Sequence, residues 1–230
     1  MTIEYKNPYW IKYEWDIGTI QEGCIVKKDN TELQNILFKD RYSIICDFKI
    51  KENYIKDEKA GIFGKAGQNF GLTFDSKIDS LVFEFRTNTK SPEFHCVIFD
   101  KIKFEDIKKG VDIIITKNKT TFTFYLNGQE ILVYKFNGEL IDEYKDSPFF
   151  LGSLNPGAKD PKDRCYSQID FNRLSIVKNE TNVEVLQTIN PKDDNVLCYY
   201  DFKRINIIKN VCDESNNYNF IELVPKEFIL

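Results

Sequence analysis

His95 is the chain's one histidine, and Cys24, Cys46, Cys96, Cys165, Cys198 and Cys212 are its six cysteines. A single imidazole excludes a multi-histidine metal centre and argues against a serine–histidine–aspartate triad. His95 sits in Glu93-Phe94-His95-Cys96-Val97, which reads as a strand. Neighbouring strand residues point to opposite faces, so His95 and Cys96 cannot act as a dyad there. The expected place for His95 is an outward or half-buried strand position. No two cysteines have Cys-x-x-Cys spacing, which argues against zinc. Three of the six lie in strand-like runs, where a free cysteine packs as a small hydrophobe. Buried thiols are the expectation, with disulfides as the alternative.

Oxygen donors are more promising. Asp213, Ser215, Asn217 and Asn219 alternate along the chain, a spacing that suits a hard cation such as Ca2+. The same residues also suit a turn that satisfies its own backbone. Sugars are held by planar polar groups together with an aromatic ring that stacks on the pyranose. Asp75, Arg86, Asn88, Asn155, Asp160, Asp163, Arg164 and Tyr166 are the candidates for such contacts. Five of them fall on or beside 155–164, a long polar segment stiffened by Pro156 and Pro161. Segments of this kind carry function on rigid scaffolds.

The elements that must position these groups are strands. Asp112–Phe136 reads as three strands joined by tight turns at Asn118-Lys119 and Asn127-Gly128. Asn-Gly between β-branched and aromatic residues favours a type I′ hairpin, because both central positions need positive φ. In Arg41–Ile50, Tyr42, Ile44, Cys46, Phe48 and Ile50 share one face, while Ser43, Asp47 and Lys49 take the other. Leu81, Phe83 and Phe85 likewise share a face. Further strands are expected at Tyr9–Trp15, Cys24–Val26, Leu33–Phe38, Gly61–Gly64, Phe70–Phe74 and Phe94–Phe99. Phe104–Lys109 fits a helical turn, and no longer helix is evident. Short strands spaced by turns predict an all-β, two-sheet antiparallel sandwich. One domain is expected over residues 1–230, with 1–38 and 196–230 as flanking edge strands.

Composition agrees. The 19 Phe, 12 Tyr and 2 Trp favour half-buried pleated surfaces, and one Met argues against a helical bundle. The net charge is −4 with both signs interspersed. No basic stripe is present to follow a phosphate backbone, so nucleic acid is not an expected partner. Residues 1–6 lack the apolar core of a secretory signal, and no apolar run is long enough to insert in a bilayer. Cytoplasmic synthesis is therefore expected, with assembly into a virion or surface appendage as a further setting. Two Asn-x-Thr sequons, at Asn118 and Asn179, are read as coincidental.

The order of motifs resembles the concanavalin A-like jelly roll, in particular its laminin-G-like branch. Tyr42–Ile50 resembles the opening core strand, followed by Gly61–Gly67, Asn69–Phe74 and Leu81–Arg86. Phe122-Thr-Phe-Tyr-Leu-Asn-Gly128 is similar to the recurrent strand ending in Asn-Gly. Phe150-Leu-Gly152 and Ile169–Ile176 resemble the short and closing strands. Tyr199-Tyr-Asp-Phe202 with 213–219 is similar to an element that usually opens the domain, here placed last. The resemblance implies a jelly roll whose loops recognise a glycan, with Ca2+ held by some members. Enzymatic relatives cleave β-glucans with carboxylates in a Glu-x-Asp-x-x-Glu strand, since retaining hydrolysis needs two carboxyl groups about 5 Å apart. This chain has no such triplet, and Glu139–Glu143 reads as a surface loop. A non-catalytic carbohydrate-binding module is the leading expectation. A structural subunit that packs against other protein subunits is the second, and a glycoside hydrolase or polysaccharide lyase the third.

Overall fold

The computed structural model describes residues 24–26, 35–51, 59–65, 70–89, 93–141, 149–152, 169–202, 215 and 221–223. Thirteen strands lie within them: β1 (Cys24–Val26), β2 (Arg41–Ile50), β3 (Lys59–Lys65), β4 (Phe70–Asp75), β5 (Ser80–Thr87) and β6 (Glu93–Phe99), followed by β7 (Val111–Asn118), β8 (Thr121–Leu126) and β9 (Gln129–Lys135). The chain continues with β10 (Phe149–Leu151), β11 (Ile169–Lys178), β12 (Val196–Asp201) and β13 (Ile221–Leu223). Two short helices interrupt them, α1 (Phe104–Lys109) and α2 (Val183–Gln187). One sheet has seven strands in the order β13-β1-β10-β3-β4-β5-β6, and the other has six in the order β12-β11-β2-β7-β8-β9. Every pairing is antiparallel. The expected two-sheet antiparallel sandwich is what forms.

Alternation sets the core. Ile44, Cys46, Phe48 and Ile50 of β2 all point into the space between the sheets and are buried. From the opposite sheet Leu81, Phe83 and Phe85 of β5 meet them. Aromatic rings bridge the layers: Phe83 packs edge-on to Phe122 at 5.1 Å and to Phe124 at 5.3 Å. Phe99 meets Phe124 at 4.9 Å. Such pairs contribute roughly 0.5–1.5 kcal/mol each beyond the area they bury. In β11 the inward residues are Ile169 and Phe171, then Leu174 and Ile176. The change of parity comes from a bulge at Asn172, where the register with β2 shifts between Phe171 and Arg173.

The Asn127-Gly128 turn has φ of 49° and 80°, as a type I′ turn requires. The preceding turn differs from its expected position. Asn118 pairs with Thr121 in the ladder, so the turn centres on Lys119-Thr120, with Lys119 at φ 54°. Of the strand expected over Leu33–Phe38, the described part forms a 3-10 turn at Ile36–Phe38 instead. Ile36 and Leu37 are both buried although adjacent, which a strand open on one face cannot achieve. The helical turn at Phe104–Lys109 forms as expected, and α2 is an additional one. The strand expected at Tyr9–Trp15 lies outside the described residues.

Candidate functional site

Each sheet has an outward face, and the two are built differently. On the six-stranded sheet, Ile45, Ile114, Val177 and Val196 form a second apolar cluster capped by Leu186 of α2. Asn182 starts that helix by accepting from the Glu184 amide at 3.0 Å. Beside the cluster, Arg173 pairs with Asp112 at 3.4 Å and Asn172 donates to Asp47 at 3.0 Å. Burial pushes the Asp112 carboxyl up, Arg173 opposes the shift, and Asp47 adds to it. This face is largely closed by the protein's own helix.

The seven-stranded sheet presents a different surface over β4, β5 and β6. Because Leu72, Phe74, Phe83 and Phe85 point inward, the alternate residues Thr73, Asp75, Val82, Glu84 and Arg86 must point outward. On β6 the outward residues are Phe94, Cys96 and Ile98, with Phe94 at 43% and Ile98 at 44% exposure. Toward the sheet centre exposure falls sharply, to 5% at Glu84 and 1% at Thr73. Lys59 Nζ lies 3.6 Å from Asp75 Oδ2 and 4.0 Å from Glu84 Oε1. Burial pushes the Glu84 carboxyl up; Lys59 opposes this and Asp75 reinforces it. Asp75 also accepts from the Lys77 amide at 3.0 Å. Further along the edge, the Arg86 guanidinium sits 5.9 Å from the centre of the Phe94 ring. An exposed aromatic beside a cation offers both a stacking surface and hydrogen-bond donors.

Two of the sequence candidates, Asp75 and Arg86, therefore share this face. They do not converge. Asp75 pairs with Ser80, six residues before Arg86, which at roughly 3.3 Å per residue is about 20 Å. Asn88 lies just beyond β5, where its side-chain carbonyl accepts from the Glu139 amide at 2.8 Å. Its backbone and the Thr87–Leu140 bridge hold residues 139–141 against β5. Glu139 is exposed and held through its backbone amide and carbonyl; residues 142–143 of the expected surface loop lie outside the described residues. Asn155, Asp160, Asp163, Arg164 and Tyr166 lie outside the described residues, as do Asp213, Asn217 and Asn219. Ser215 is buried, and its hydroxyl donates to the Leu197 carbonyl at 3.3 Å. Among the described residues no group of three or more His, Cys, Asp or Glu side chains could hold a metal ion.

Sequence reasoning missed Lys59, Thr73, Glu84 and Phe94. Glu84 was within reach of it, because two residues before Arg86 on one strand means the same face. The ion pairs of Lys59 depend on the register of β3 against β4, which no local pattern encodes.

His95 departs from its expected outward or half-buried position. It points inward at 8% exposure, bonded to Thr87 Oγ1 at 2.9 Å and Tyr134 Oη at 3.1 Å. Its ring stacks on Phe85 at 4.6 Å. It holds β6 of one sheet to β9 of the other. Cys46 is a buried free thiol as expected and Cys198 is buried, whereas Cys96 is free and exposed because its parity on β6 is opposite to that of His95.

No protein-family model and no curated protein matches the sequence. Solved structures do share its architecture. A candidate carbohydrate-binding protein from Bacteroides ovatus ATCC 8483 superposes with a TM-score of 0.61 at 12% identity, over 89% of this chain and 58% of that one. The CBM40 of Ruminococcus gnavus IT-sialidase, solved with α2,3-sialyllactose, gives 0.52 at 10% identity, over 74% of this chain and 94% of that one. The binding domain of Paraclostridial Mosquitocidal Protein 1 gives 0.50 at 14% identity, over 72% and 39% of the two chains. The chain thus spans little more than half the length of the Bacteroides protein. At these identities the likeness is one of fold, a two-sheet antiparallel jelly-roll sandwich shared with carbohydrate-binding modules and toxin binding domains.

Proposed function

We propose that the protein is a non-catalytic carbohydrate-binding module that recognises a glycan on the outward face of β4, β5 and β6. The observation that carries this reading is the exposed Phe94 ring flanked by Arg86, on the face that also holds Lys59, Asp75 and Glu84. An apolar ring for the sugar face and planar polar groups for its hydroxyls are the two elements such a site needs. The likeness in fold to a module solved with α2,3-sialyllactose supports the ligand class. The motif order supports placing the sandwich among concanavalin A-like, laminin-G-like jelly rolls. The proposal extends to glycan contacts from residues 155–164 and to a Ca2+ held by oxygens of Asp213, Asn217 and Asn219, the Ser215 hydroxyl being buried and bonded to the Leu197 carbonyl. Asp75 and Glu84 bracket one lysine, an arrangement suited to holding hydroxyls rather than to cleaving a glycosidic bond.

A second reading is a protein-interaction subunit. The exposure of Phe94 and Ile98 on β6, the last strand of its sheet among the described residues, favours it. A glycan array probed with wild type, Phe94→Ala and Arg86→Ala, with and without a chelator, separates the two. The expected result is wild-type binding to one glycan class and a loss of about tenfold, about 1.4 kcal/mol, in Phe94→Ala. Silence of the wild type across the array overturns the reading in favour of the interaction subunit. Loss of binding in the chelator supports the cation; undiminished binding removes it.

A further inference from the structure

Among the described residues the seven-stranded sheet ends at β6, and half of that strand's peptide groups are unused. The Ile141 amide donates to the Arg86 carbonyl, and the Asn88 amide to the Glu139 carbonyl. Arg86 and Asn88 therefore turn their peptide groups away from β6. Ladder bonds alternate residue by residue, and the register of β5 with β6 runs unbroken from Leu81–Phe99 to Thr87–Glu93. Phe83, Phe85 and Thr87 thus bond to Val97, His95 and Glu93. The peptide groups of Phe94, Cys96 and Ile98 point the other way, off the edge of the sheet, and no described residue bonds to them. Their side chains stand on the outward face: Phe94 and Ile98 are exposed, and Cys96 is a free, exposed thiol. Natural edges are guarded by charges, prolines or bulges. β9, at the edge of the other sheet, carries Glu130, Lys135 and a bulge against β8. β6 has no charge after Glu93 and no bulge. The core beside it is also incompletely sealed. Ile131, Leu132 and Tyr134 of β9 are only partly buried, and Tyr134 reaches His95 of β6.

We propose that a second copy of this chain pairs antiparallel along β6, about a two-fold axis through Cys96, and joins the two seven-stranded sheets into one. Unused peptide groups must face each other, and one register engages all three residues. It sets Phe94 opposite Ile98 of the second copy, Cys96 opposite Cys96, and Ile98 opposite Phe94. Each such pair exchanges two N–H···O bonds. The strand therefore supplies both the open edge and its complement. An aromatic ring meets a branched aliphatic chain on either side of two small thiols at the axis, and Glu93 falls opposite Phe99, so no like charges are opposed. The second copy also covers the partly buried residues of β9 along the same edge. Because the axis is perpendicular to the sheet, both outward faces stay on one side. Two Arg86–Phe94 sets then share one continuous surface, their Phe94 positions offset by about 13 Å along the strands. The dimer stands independently of the glycan-binding reading, and either holds if the other fails.

Sedimentation of the full chain in reducing buffer is the first test. Wild type and Cys96→Ser are expected at twice the monomer mass. Cys96→Lys, which opposes two ammonium groups at the axis but faces Glu84 within its own sheet, is expected as a folded monomer. The second test fixes the register by cross-linking. A hydrogen-bonded pair has Cα atoms about 5.5 Å apart, within disulfide reach. Diamide, which takes up the two electrons and two protons of a thiol pair, is expected to link wild type and not Cys96→Ser. In the Cys96→Ser background, Phe94→Cys and Ile98→Cys are expected to stay unlinked when each is alone and to link when mixed. A wild type that is monomeric at about 0.1 mM, where even a small, weak interface of this kind is populated, overturns the dimer. An undiminished dimer in folded Cys96→Lys also overturns it, because association then uses another surface. So does a mixture no more linked than its two components, an outcome that decides the matter even if Cys96→Lys does not fold.

Discussion

His95 shows how far a single residue's chemistry depends on its surroundings. Its ring lies between Phe85 and the Thr87 and Tyr134 hydroxyls. Burial lowers its pKa below the ordinary 6.5, and Glu93 only partly opposes this. The unfolded chain then binds a proton more readily than the native one, so stability is complete above about pH 6.5 and declines as pH falls through the lowered pKa. Glu84 and Asp112 shift upward through burial and act in the opposite sense, losing stability as pH rises through their raised values. The comparison that isolates the histidine is wild type against His95→Gln. The drop in melting temperature between pH 7.5 and 5 is expected to be smaller in the variant, and an equal drop rejects the assignment. Sequence reasoning separated His95 from Cys96 by face but left His95 outside the core. The residue that draws it inward, Tyr134, is 39 positions away.

At the scale of elements, the β7–β8–β9 meander was the most legible part of the chain. Its turns are local, and Asn127-Gly128 encodes a positive-φ pair in two letters. The backbone sets the constraint: Gly128 has φ 80°, while a Cβ there would meet only the far end of the exposed Gln187 side chain, which can move aside at little cost. Gly128→Ala is therefore expected to cost more than about 1 kcal/mol, from the backbone alone. Chemical denaturation of Gly128→Ala with and without Gln187→Ala checks this. Additivity is expected in the double variant, whereas recovery of part of the loss would show that α2 presses on the turn. The 3-10 turn at Ile36–Phe38 and the bulge at Asn172 were less legible. Each replaces a regular period with an irregular step whose reason lies in the neighbouring strand. Periodicity reports a face only while the backbone stays regular.

At the scale of the molecule, the two sheets share one core, and Phe122 lies near its centre. It is fully buried and touches Phe70, Phe83, Phe85, Phe124 and Phe136. Phe122→Ala is expected to cost roughly 3–5 kcal/mol and to shift the loss of both sheets together. Coincident urea transitions by far- and near-UV circular dichroism check it; separate transitions would show that the sheets are held independently. Alternation of apolar residues and the turn chemistry were sufficient, from sequence, to determine an antiparallel two-layer sandwich, because both are short-range properties of the backbone. Face membership followed wherever a strand stayed regular, as for Glu84 and Arg86. Which residues from different strands meet was decided only in three dimensions. The ion pairs of Lys59 with Asp75 and Glu84 and the closure of one face by α2 both arise from register and packing between segments distant in the chain, and local patterns carry no record of such distances.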